Sequence, residues 1–172
     1  MKKVSTNHQY RRFSRVSRGL RPGPATINHL KIYCDGGSRG NPGPAAIGFL
    51  VEDSKRGTIF KKGKFIGKAT NNVAEYQAVI EALEWIADNR FCFPLSKTDL
   101  HFYLDSRLVV NQLNGFFKIK NSNLQILVIK IKALENQLEN SVFYHFIPRS
   151  QNIKADKLVN KALDRWVLKQ RT

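Results

Sequence analysis

Two runs seventy residues apart end alike: Tyr33-Cys34-Asp35 and Tyr103-Leu104-Asp105. Each closes a short apolar, β-prone stretch with an aspartate, and turn residues or a helix start follow. As neighbouring parallel strands, the two runs would place both carboxylates on one face at one end of a sheet, because side chains alternate along a strand. Carboxylates held side by side repel unless a positive charge lies between them, so the pair predicts a divalent cation. Two more acids stand where apolar residues belong. Glu75 precedes Val79, Ala82, Leu83 and Ile86 by four, seven, eight and eleven positions, the stripe a helix turns toward a sheet. Asp156 shares a helical face with Val159, Asn160, Leu163 and Val167. A carboxylate on such a face is costly unless it is paired or holds a metal.

The chemistry that needs this set is phosphodiester hydrolysis by two metal ions. Magnesium prefers oxygen ligands and keeps several waters. Two ions ~4 Å apart activate the attacking water and stabilise the leaving oxygen. The four histidines, His8, His29, His101 and His145, have no zinc-type spacing, so Mg2+ is expected, with Mn2+ as a substitute. Each acid also has a structural alternative. Asp35 is a candidate turn former, and Asp105 a candidate cap for the helix starting at Ser106. Glu75, at the third helical position, is a candidate capping-box partner for Thr70, Asn71 or Asn72. Asp156 has Arg149 and Lys157 in reach. Singly these readings win; with only 13 acids in the chain, four so placed favour the metal.

The elements that must hold these residues are legible from periodicity. Leu30, Ile32 and Cys34 alternate with Lys31 and Tyr33 as a strand, and 45–51 and 58–66 read as two more, joined by a turn at 52–57. Thr70-Asn71-Asn72 caps a helix running to about Asp88. A fourth strand at 100–104 leads to a short helix, 106–114, closed by Gly115. A helix over 123–138, a strand at 142–147 and a helix over 152–167 follow. The order predicts an α/β fold: a five-stranded mixed sheet, its first three strands antiparallel and the rest parallel, flanked by helices.

At 172 residues the chain suits one domain. Lys and Arg total 29 against 13 acids, a net charge of +16 that favours a polyanionic partner, nucleic acid before an anionic membrane surface. No apolar run approaches the ~20 residues of a spanning helix. Cys34 and Cys92 lack metal spacing and suit a reducing compartment, with a disulfide between them left open. Residues 1–28 hold seven basic residues and no acid, and close on the Arg-Pro-Gly-Pro breaker at 21–24. They read as a disordered basic arm before a domain at 29–168 and a tail at 169–172. The arm lacks the apolar core of a secretory signal; a nucleic-acid tether and an organelle address both fit it. The expected location is cytoplasmic.

Four motifs carry a resemblance: DGGSRGNPGPAAIG (35–48), TNNVAEYQAVIEALEW (70–85), YLDSRLVVNQLNG (103–115) and IPRSQNIKADKLVNKALD (147–164). In this order, and over nearly everything from Leu30 to Trp166, the chain resembles type 1 ribonuclease H in its shorter, archaeal-like branch. The resemblance implies the ribonuclease H-like fold and endonucleolytic cutting of the RNA strand of an RNA–DNA hybrid, leaving 5′-phosphate and 3′-hydroxyl ends. It implies that Asp35, Glu75, Asp105 and Asp156 bind the metals, that Asn41, Asn71 and Asn72 touch the hybrid's minor groove, and that Thr70 lies beside a DNA phosphate. Neutral donors and acceptors suit 2′-hydroxyls and base edges. Gly36, Gly37, Ser38, Arg39, Ser106, Arg107 and Asn152 complete the expected substrate contacts, with Gly36, Gly37, Gly40 and Gly43 letting backbone approach the duplex.

Two departures stand out. The Lys- and Trp-rich basic protrusion of many members is missing, since 114–121 runs almost directly into the next helix. Grip is therefore expected from the N-terminal arm and from Lys61, Lys62, Lys64 and Lys68. Arg149 stands where many members use a flexible histidine; it stays protonated and suits phosphate contact rather than general-base work. A monomer with no obligate protein partner and no membrane is expected, standing alone rather than within a reverse transcriptase. The rivals are a non-catalytic binder of hybrid or double-stranded RNA, a nuclease for double-stranded RNA, and a 3′–5′ exonuclease. A pure binder gains nothing from four acids facing phosphates.

Overall fold

The structure is a computed structural model that describes residues 29–90 and 98–170. The basic arm, Cys92 and the last two residues lie outside this set. Five strands form one mixed sheet in the order β3-β2-β1-β4-β5: β1 His29–Ser38, β2 Gly43–Asp53, β3 Gly57–Ala69, β4 Asp99–Leu104 and β5 Val142–Phe146. The first three strands pair antiparallel, whereas β4 runs parallel to β1 and β5 parallel to β4. The helices are α1 Asn71–Asp88, α2 Arg107–Leu113, α3 Ser122–Leu138 and α4 Ile153–Lys169, with a short 3-10 turn at Arg149–Gln151.

Alternation along the strands divides the two faces. Leu30, Ile32, Cys34, Ile47, Phe49, Val51, Leu100, Phe102 and Leu104 are buried on the face that receives Val79, Ile80, Leu83 and Ile86 of α1. Burying an aliphatic or Phe side chain of this size contributes about 1.5–3 kcal/mol, so this layer anchors α1. Helix α3 packs on α1, and α4 lies over β2, β3 and β1, where Val159, Ala162 and Leu163 cluster with Ala46. Glycines set how closely both helices approach. A Cβ on Gly36 would sit 2.1 Å from the Ala74 carbonyl carbon of α1, and one on Gly48 would sit 2.5 Å from the Ala155 oxygen of α4. Any side chain at either position would push a helix off the sheet. Among the described residues no helix is long and apolar enough to cross a membrane.

Two boundaries differ from expectation. β1 runs past Asp35 to Ser38, because antiparallel β2 continues to pair Gly36 with Ile47 and Gly37 with Ala46 after β4 has ended. α1 is capped by Thr70, whose Oγ1 accepts from the Val73 N–H at 3.3 Å. Glu75 then falls two positions beyond the third helical residue, so no capping box forms.

Candidate active site

Register brings the first two acids together. Tyr33 lies opposite Tyr103 in the parallel β1–β4 pair, and their rings stack with centroids 5.1 Å apart. Two residues further on, Asp35 and Asp105 keep that alignment. Glu75 arrives from α1, whose backbone rests directly on Gly36. One oxygen from each of Asp35, Glu75 and Asp105 lies within 4.8 Å of the others. Ser106 caps α2 by accepting from the Val109 N–H at 3.4 Å, which leaves Asp105 free of that task.

The electrostatics of the three acids are adverse without a cation. Burial, then the charges of Asp105 and Asp156, push the Asp35 carboxyl up to about 7. Burial, then Asp35 and Asp105, hold Glu75 well above the carboxylate range. The Glu75 Oε2 is buried without a hydrogen-bond partner. A buried acid without a donor, facing two of its own kind, is destabilising on its own. A hard divalent cation with oxygen ligands satisfies all three, so the residues fit such an ion.

Asp156, in the first turn of α4, lines the same cavity of about 310 Å³ but stands outside the close trio. Its two carboxylate oxygens are taken: Oδ1 accepts from Arg149 at 2.7 Å and Oδ2 from the Asn160 amide at 3.0 Å. Of its two expected ion-pair partners, Arg149 is the one engaged. A second cavity of about 270 Å³ gathers Asn41, Thr70 and Asn72 with Asn121 and Asn123. Asn71 turns elsewhere: its Oδ1 accepts the Ser38 N–H and hydroxyl, each at 2.8 Å, while its own N–H donates to Asn41 Oδ1 at 3.1 Å.

Several expected substrate contacts have other work. Asn152 is only 1% exposed, and its amide donates to the Cys34 carbonyl at 2.8 Å and to Asp105 Oδ1 at 3.0 Å. Its amide thus holds Asp105 from inside the fold. Arg39 pairs with Asp164 of α4. Lys62 and Lys64 both pair with Glu81, Lys62 at 2.8 Å, while Lys61 and Lys68 are exposed. The Arg107 guanidinium lies 4.5 Å over the Phe146 ring. Gly36 lacks a side chain because α1 occupies that space. Sequence reasoning assigned no part to Asn160, although its spacing of four from Asp156 on one helix was the available signal.

Comparison with known proteins agrees with this geometry. Residues 33–162 match the family model described as reverse transcriptase-like. Ribonuclease HI of Halobacterium salinarum is 40% identical over 141 residues, covering 82% of this chain and 67% of that protein. A bifunctional protein of Mycobacterium tuberculosis is 40% identical over 134 residues, 77% of this chain but 35% of its own length. The chain thus spans about a third of the mycobacterial relatives it matches. Among solved structures, a ribonuclease H1 named LC11, crystallised with an RNA/DNA hybrid, superimposes with a TM-score of 0.75 at 40% identity, covering 80% of this chain and 99% of that one.

Proposed function

Because the chain belongs to the type 1 ribonuclease H family, we propose that it hydrolyses the RNA strand of an RNA–DNA hybrid, cutting internally to leave 5′-phosphate and 3′-hydroxyl ends. The observation that carries this reading is the trio Asp35, Glu75 and Asp105, with oxygens within 4.8 Å of one another and one Glu75 oxygen buried without a partner. When bound, two magnesium ions supply an activated water and charge neutralisation at the leaving oxygen. Asp35 and Asp105 would hold the ions, Glu75 would help position one of them, and Asp156 would complete the second site. The all-oxygen donor set favours Mg2+, with Mn2+ as a substitute.

The remaining residues orient and bind. Asn152 fixes the rotamer of Asp105 from a buried position. Asn41, Thr70 and Asn72 offer the hybrid uncharged donors and acceptors beside the acid pocket, the chemistry suited to 2′-hydroxyls. Arg149 stays protonated and meets a phosphate oxygen as the scissile bond settles over the acids. A protein that only bound the hybrid would be weakened by three clustered carboxylates facing phosphates. The working form is a monomer acting in the cytoplasm.

The test is incubation of the protein with labelled RNA–DNA hybrid, single-stranded RNA and double-stranded RNA, in Mg2+ or in EDTA. Metal-dependent cutting of the hybrid's RNA strand, lost in Asp105→Asn, is expected. Tight hybrid binding with no cutting in Mg2+ or Mn2+ would make the chain a binding module.

A further inference from the structure

The four acids do not wait for metal in the same condition. Asp35, Glu75 and Asp105 face one another, and among the described residues the Asn152 amide reaches into this trio, donating to Asp105 Oδ1 at 3.0 Å. Asp156 is instead closed on both oxygens, by Arg149 at 2.7 Å and by Asn160 at 3.0 Å. Asn160 is doubly anchored, since the same amide also reaches the Asp156 carbonyl at 3.0 Å one helical turn back. Arg149 projects from the 3-10 turn that precedes α4, and its side chain is 78% exposed against 26% for Asp156. Arg149 is thus an outer bolt, free to swing into solvent, and Asn160 an inner one fixed to the helix.

We propose that Arg149 is a latch on the second metal position: in the metal-free protein its guanidinium stands in for the second cation, and that cation binds Asp156 only as Arg149 leaves. The proposal rests on the two-metal reading above and adds an order to it. The first ion binds the open trio without displacing a protein cation. The second must break a charge-assisted hydrogen bond and share the pocket with a guanidinium until it moves. A substrate phosphate favours the second step twice, by ligating the ion and by giving the released Arg149 a new anion. Commitment of the second ion is thereby tied to the presence of a phosphodiester backbone. The observation behind this is the pairing of both Asp156 oxygens, in contrast with the orphaned oxygen of Glu75.

The test reads binding and not turnover: calorimetric titration of the full chain with Mn2+, checked by the electron paramagnetic resonance of bound Mn2+, without nucleic acid. Wild type should show one tighter and one weaker site. Arg149→Ala should tighten the weaker site roughly two- to fivefold, the range an exposed ion pair commands, and change the tighter one less. Asp156→Asn should remove the weaker site, and Arg149→Ala in that background should leave the remaining constant unchanged. Arg149→Lys, which restores a charge without the planar fork, should fall between wild type and Ala. Equal tightening of both sites by Arg149→Ala, or tightening that persists in Asp156→Asn, would show only a diffuse field effect and overturn the latch. A weaker site indifferent to Arg149 would also overturn it while leaving the metal reading standing. Absence of any site lost in Asp105→Asn would overturn both.

Discussion

Glu75 and Glu81 sit six residues apart on α1 and live under opposite rules. Glu81 meets two cations from β3, Lys62 at 2.8 Å and Lys64. Burial alone would raise its pKa, but the hydrogen bonds and charges of the two lysines more than offset that and hold it below the usual range. Glu75 meets two anions and has an oxygen with no donor, so burial and repulsion both act upward. Burial weighs more heavily on Glu75, but it pushes both carboxyls in the same upward direction. What separates them is the sign of the neighbours. A fold that surrounds one glutamate with lysines and leaves another facing aspartates is reserving the second for a ligand it does not itself supply.

The largest test of that contrast is Asp105→Asn. Loss of one ligand from a metal whose charge stabilisation is worth several kcal/mol should lower single-turnover cleavage of the hybrid roughly a thousandfold. The same change removes the charge that opposes ionisation of Asp35 and Glu75, so the metal-free protein should melt higher in EDTA. Asparagine retains an acceptor for the Asn152 amide, so the local hydrogen bond survives. A variant that was both inactive and less stable without metal would mean Asp105 is held for structure, and the contrast with Glu81 would collapse.

Next in size is the pH dependence of the metal-free protein. Asp35 titrates at about 7 in the fold and near 3.9 in an unfolded chain. A folded pKa raised above the unfolded one gives a stabilising contribution that is complete below the unfolded value and lost as pH rises through the folded one. Unfolding free energy in EDTA should therefore fall between pH 4 and 7, by on the order of 4 kcal/mol from this group. Glu81 has the opposite sign: its contribution is present above the ordinary glutamate range and lost as pH falls through its lowered value. Denaturant melts in that window should show the decline in wild type, a flatter profile in Asp35→Asn, and recovery in saturating Mg2+. An equal slope in wild type and Asp35→Asn would mean Asp35 is not strained by its neighbours. Smaller again is Asn152→Ala, which frees Asp105 without removing a ligand; metal affinity should fall about 10- to 100-fold, as for other residues that orient a ligand.

Sequence periodicity carried most of the fold and the four acids, for a physical reason. The alternation of Leu30, Ile32 and Cys34, the offsets from Glu75 to Ile86 and the Tyr–Asp echo are set by geometry within one element, and they persist in the sheet and helices observed. What was not legible depends on which elements meet. Lys62 and Lys64 read as candidates for gripping substrate, and nothing in β3 reveals that α1 places Glu81 beside them. The partners of Asn152 were equally hidden, since nothing in its own segment reveals that the Cys34 carbonyl and Asp105 converge on it, 118 and 47 residues away in the chain. The capping box failed on a smaller point: three consecutive residues were eligible caps, and the choice of Thr70 over Asn72 moved Glu75 by two positions.

The finest test reverses the substitution on the two glutamates themselves. Glu81→Gln removes the charge that two lysines share, and those lysines are 40% and 48% exposed, so most of what they lose is recovered from water. A cost of about 1 kcal/mol is expected, with cleavage of the hybrid within about twofold of wild type. Glu75→Gln should do the reverse, abolishing cleavage while raising the melting temperature of the metal-free protein, because an amide faces Asp35 and Asp105 without repulsion and brings the donor that this corner lacks. Side-by-side melts in EDTA decide the matter. If both variants lose stability, the neighbours of Glu75 stabilise it after all, and its raised pKa reflects burial alone. If both gain, the lysines around Glu81 are not engaged in solution. Opposite signs are what two carboxylates on one helix must show when one is held by the fold and the other is held open for a cation.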